Sequence, residues 1–84
     1  MNNQELDALI VDYFEVKQAI LQANFALSLI QSEIVRLSEE GNNQEEIDEL
    51  VQDSFVVTQI ILELTLILNL IKAEIARLSE EDAA

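Results

Sequence analysis

Three observations predict an all-α fold, an antiparallel two-helix hairpin with coiled-coil heptads that assembles into a helical bundle. Residues 5–40 and 46–81 contain no glycine and no proline, so nothing in either stretch interrupts a helix. Through both stretches apolar residues recur at alternating steps of three and four, the a/d spacing of a coiled coil. Residues 1–41 also align with residues 42–82 at a fixed offset of 41, with 20 of the 41 positions identical. A repeat unit that cannot bury its own apolar face buries it against a copy of itself. Eighty-four residues make at most one domain.

The first helix is expected at about 3–40. Asn2 followed by Glu5 reads as an N-cap with its capping-box partner. The apolar seam then runs Leu6, Leu9, Tyr13, Val16, Ile20, Ala23, Leu27, Ile30, Ile34, Leu37 without a miss. A turn at 41–43 follows, in the stretch Glu40-Gly41-Asn42-Asn43. Gly41, the only glycine of the chain, fits the position after a helix where positive φ is needed and a Cβ is penalised. The second helix is expected at about 44–81. Asn43 and Glu46 repeat the capping pattern, and Glu45, Glu46, Asp48 and Glu49 place negative charge at the positive end of the helix dipole. Its seam is the copy of the first: Ile47, Leu50, Ser54, Val57, Ile61, Leu64, Leu68, Ile71, Ile75, Leu78, of which only Ser54 is not apolar. Each helix of about 36 residues is roughly 54 Å long.

One continuous helix is excluded by the offset. Forty-one is not a multiple of seven, so a single seam loses phase at the junction, where Gly41 and two asparagines lie. A short connection makes the helices antiparallel neighbours. If Leu37 packs beside Ile47, their numbers sum to 84, and every other seam pair obeys the same sum, from Leu6 with Leu78 to Ile34 with Leu50. The layers pairing Ala23 with Ile61 and Ser54 with Ile30 set a small side chain against a large one, which helps layers interdigitate.

The apolar content exceeds what that seam uses. An amphipathic helix needs about three apolar positions in seven, whereas residues 5–40 hold 20 in 36 and residues 46–81 hold 19 in 36. The excess forms a flank of Ile10, Phe14, Leu21, Phe25 and Leu29, copied as Val51, Phe55, Leu62, Leu66 and Leu70. A second flank carries Ala19 and Ala26, copied as Ile60 and Ile67. Burying ten large side chains contributes on the order of 15–30 kcal/mol gross, before ordering and association costs. The expected solution is a symmetric homo-oligomer of hairpins, with a dimeric four-helix bundle favoured over a larger ring. The alternative is an acidic helical interaction module that pairs with a different chain.

Composition bounds the chemistry. Four basic against 17 acidic residues give a net charge of −13, which argues against nucleic acid and anionic membranes. The most apolar stretch is interrupted by Gln59, Glu63, Thr65 and Asn69 and lacks basic flanks, so a membrane span is not expected. Without histidine or cysteine there is no expected metal centre, no disulfide and no activated nucleophile, and neither a cofactor, a small-molecule ligand nor enzyme activity is expected. No signal peptide is visible in Met1-Asn2-Asn3-Gln4-Glu5, and the expectation is a soluble protein, cytoplasmic as expressed. Uniform helices without His, Cys, Pro or Trp, paired Asn-x-x-Glu caps, one glycine turn and near-duplicate halves resemble a de novo designed helical-hairpin homo-oligomer. That resemblance implies a structural protein whose purpose is the assembly itself.

Charges crowd the helix ends. At the turn end Glu33, Glu39, Glu40, Glu45, Glu46, Asp48, Glu49 and Asp53 gather around Arg36 alone. Screening relieves such repulsion, so added salt is expected to tighten the assembly and raise the thermal midpoint. A falling midpoint would contradict this.

Overall fold

Two uninterrupted helices form where the breakers are absent. The computed structural model describes residues 3–83, and the side chains of residues 3–81. Helix α1 spans Gln4–Glu40 and helix α2 spans Gln44–Ala83, with no strand among the described residues. They pack side by side into a rod of 64 × 14 × 13 Å. Helix α2 extends two residues past the expected end at 81, because neither glycine nor proline follows Glu81. Asn2, the expected first cap, lies outside the described residues. Asn3 stands at the N-cap position of α1 and makes no side-chain capping bond.

The reversal is built from three residues. Gly41 has φ 80° and ψ 163°, a region that only glycine enters readily, and its N–H donates to the Leu37 carbonyl at 3.2 Å. A Cβ at Gly41 meets nothing within 4 Å, so the glycine is required by its backbone angles and not by crowding. Asn42 follows at φ 58°, in the left-handed region that asparagine tolerates best after glycine. Asn43 differs from the capping box expected with Glu46. Its side-chain amide points back and donates to the carbonyls of Gly41 at 2.8 Å and Leu37 at 3.3 Å. The Gly41 carbonyl lies past the last helical bond of α1, and the Leu37 carbonyl already accepts from Gly41, so the Asn43 amide ties the turn to the end of α1.

The helices run antiparallel. At the turn end Leu37 and Ile47 line one small cavity. At the other end Tyr13 and Ile75 line a common groove, and the charge of Glu5 reaches Arg77. These three pairs have numbers that sum to between 82 and 88. All twenty seam positions, Ser54 included, are half-buried or buried. Among the described residues only Leu37 is fully enclosed, at 3 % exposure, where the turn folds over it. One helix covers only one side of its neighbour, so a two-helix rod has a seam but no closed interior.

Gly41→Ala is expected to destabilise the hairpin by about 1–3 kcal/mol through backbone strain, whereas Asn42→Gly is tolerated. Leu37→Ala should cost about 2–5 kcal/mol, the range for truncating an enclosed leucine. Urea unfolding followed by helical circular dichroism checks all three.

Candidate self-association surface

Helical spacing determines which side chains the hairpin leaves bare. Residues three and four apart share a face, and the flank residues fall away from the seam. Phe14, Leu21, Phe25, Leu29, Phe55, Leu62, Leu66 and Leu70 are between 57 % and 68 % exposed. Ile10 is exposed to a lesser degree and Val51 is half-buried, since both adjoin the seam. On the second flank Ile60 and Ile67 are exposed, while their shorter counterparts Ala19 and Ala26 are half-buried. The hairpin therefore brings none of the fourteen flank residues into full burial. Val11, Val35 and Val56 add further exposed apolar area. The flanks read from the sequence do not include Val11 and Val35, whose counterparts in the repeat are Gln52 and Ala76. They could have been found by helix position alone.

The amount of bare surface can be compared with a globular standard. The chain exposes 6194 Å². A compact monomer of 9.5 kDa exposes about 5,000 Å². The excess, on the order of 1,000 Å², exceeds the ~800 Å² that each partner buries in a standard interface.

Several polar groups in the middle of the rod are bonded to the backbone of their own helix. Ser54 donates its hydroxyl to the Val51 carbonyl at 2.6 Å, Thr58 to Ser54 at 2.8 Å and Thr65 to Ile61 at 2.7 Å. The amide of Asn24 donates to the Ile20 carbonyl at 3.0 Å. The three hydroxyl donors are satisfied within their own helix, and Asn24 satisfies one of its two N–H groups there. Glu63, the one charge in residues 54–71, accepts from Gln59 at 3.5 Å.

The ends are charged and internally paired. Arg36 donates to both oxygens of Glu33, from Nε at 2.7 Å and Nη2 at 2.6 Å, and to Glu40 at 2.6 Å. Forty-one residues on, Arg77 binds Glu74 and Glu81 in the same way. The hydrogen bonds from Arg36 and Arg77 hold the Glu33 and Glu74 carboxyls below their ordinary value of 4.5, and the carboxylates keep both guanidiniums more firmly protonated. All of these pairs are solvent-exposed and contribute little to stability. The two lysines make no ion pair among the described residues. Lys17 lies over the Tyr13 ring at 5.4 Å, and Tyr13 meets Phe14 edge to face at 5.4 Å. Lys72 borders a shallow groove of about 420 Å³ with Ile10, Tyr13, Phe14, Ile75 and Ala76.

Two other uses of this surface bear on its chemistry. No group of three or more acidic residues among the described ones is placed to hold a metal ion. Helix α2 is long and apolar enough to cross a membrane by length and composition, with a mean hydropathy of 2.0 over its best window and none of that window buried in the hairpin. No family model, curated protein or solved structure matches the chain.

Acidification acts on two opposed terms. Self-repulsion at a net charge of −13 weakens as carboxylates protonate toward the isoelectric point near 4.1. Glu33 and Glu74, with lowered values in the folded state, contribute stability above their ordinary 4.5 and lose it only as the pH falls through the lowered value. Thermal melts should therefore rise from pH 7 to about pH 5. The later acid loss should shrink in an Arg36→Gln/Arg77→Gln variant. A midpoint that falls steadily from pH 7 would contradict the balance.

Proposed function

We propose that the chain is a structural, self-assembling protomer, a helical hairpin that functions by forming a symmetric homo-oligomer and performs no catalysis. The observation that carries this reading is the apolar stripe left 57–68 % exposed on both helices beside a core with a single enclosed residue. An apolar surface of that extent on a small chain requires a cover. A second hairpin supplies one of matching length, and two of them give a four-helix bundle. A ring of three or more hairpins also covers the second flank at Ile60 and Ile67. Helix pairs held by heptad seams are the architecture of designed assemblies, and a designed origin accords with this function.

A different chain as partner is the competing reading, and the apolar length of α2 raises a third, insertion into a bilayer. Light scattering on the purified protein separates them. A soluble species at a discrete multiple of 9.5 kDa, without detergent, is the expected result. A monomer that associates only with another protein favours the interaction module, and a protein recovered only with detergent favours the bilayer. Leu21→Glu/Leu62→Glu should reduce the mass to that of one chain, since both side chains are exposed in the hairpin and face the proposed partner. An unchanged mass would remove this surface from the interface.

A further inference from the structure

We infer that neighbouring hairpins pack with opposite polarity, the turn of one beside the chain ends of the other, through the face that bears Phe14, Leu21, Phe55 and Leu62. The inference rests on the homo-oligomer reading above and specifies its geometry.

The offset of 41 and the antiparallel arrangement of α1 and α2 together give the hairpin an approximate two-fold axis across the middle of the rod. That axis exchanges Phe14 with Phe55 and Leu21 with Leu62 and places all four on one side of the hairpin. The apolar pattern of this face is therefore nearly the same read from either end. Two such faces lay apolar groups on apolar groups whether the hairpins run together or opposed, so the stripe cannot select the polarity. The selection falls to residues that break the repeat.

Two cations on this face do so. Lys17, whose copy is Thr58, lies three residues after Phe14 and four before Leu21, hence on the same face. Lys72, whose counterpart is Gln31, borders the groove with Ile10 and Phe14. Both lie on the chain-end side of the rod's middle, Lys72 farther out than Lys17, and neither has an ion-pair partner among the described residues. The acidic residues of the face obey the repeat: Asp7 stands three before Ile10 and Asp48 three before Val51. Asp7 offsets one lysine, so the face is net positive toward the chain ends and net negative, through Asp48, toward the turn. Hairpins of the same polarity set like charge on like at both ends. Opposed hairpins bring Lys72 of each to within about 7 Å, along the rod, of the level of Asp48 of the other, twice by symmetry, and move the lysines of the two chains apart. Charge contrast of this kind fixes orientation and register even where it adds little affinity.

Pulsed electron–electron resonance on Glu39→Cys carrying a nitroxide tests the polarity, since the chain has no other cysteine and Glu39 is exposed beside the turn. Opposed hairpins place the two labels about 50 Å apart at 1.5 Å per residue. Hairpins of one polarity bring them within a few helix spacings of about 10 Å. In parallel, Lys72→Glu should weaken association several-fold, and adding Asp48→Lys to that chain should restore it. A short label distance in an oligomer overturns the opposed polarity and leaves the assembly reading intact. Lys72→Glu that tightens association or leaves it unchanged does the same. A labelled protein that runs as a monomer overturns both.

Discussion

Everything about this chain follows from a mismatch between apolar content and available contact. Two helices lying side by side share one seam, and each screens only the strip of the other that it touches. Here roughly half of each helix is apolar, and the seam uses ten positions per helix. The rest, above all Phe14, Leu21, Phe25 and their copies, stands on a 64 Å rod with nothing over it. Among the described residues the enclosed core is limited to Leu37, where a turn closes over that residue. A chain so built has its stability tied to what covers its outer faces.

The polar residues are distributed in keeping with that constraint. Where the rod is most apolar, the hydroxyls of Ser54, Thr58 and Thr65 and one N–H of Asn24 are bonded back to their own helix. Where the rod ends, carboxylates dominate and each arginine is committed to two of them. The middle of the rod is thus apolar and the ends are charged. The repeat enforces this twice: Glu33, Arg36 and Glu40 reappear as Glu74, Arg77 and Glu81 with the same bonds. The duplicated pattern also gives the hairpin its approximate two-fold character, and that makes Lys17 and Lys72 informative, because they depart from it.

Much of the fold is legible in the sequence because its causes are local. Absence of breakers sets the helices, and Gly41 sets the reversal. The three–four spacing sets which side of each helix turns inward. The turn was less legible. Gly41 and Asn42 both take positive φ, and Asn43 serves the carbonyls of the preceding helix where a cap on the following one was expected. Several acceptors compete for one short side chain, and the winner depends on the path of the backbone through three residues. Val11 and Val35 are exposed although their counterparts Gln52 and Ala76 are not large apolar residues, because exposure depends on position around the helix.

By itself, then, the sequence determined two long helices, their junction, the seam and an acidic surface without histidine or cysteine chemistry, since period, breakers and composition act within a few residues. Only the tertiary structure decided how much of the apolar surface the hairpin covers. Burial is a property of pairs of elements. The contact between α1 and α2 leaves the outer stripe bare along both, and it places Lys72 beside Ile10 and Phe14 across the rod, a neighbourhood that residues more than fifty apart acquire only by folding.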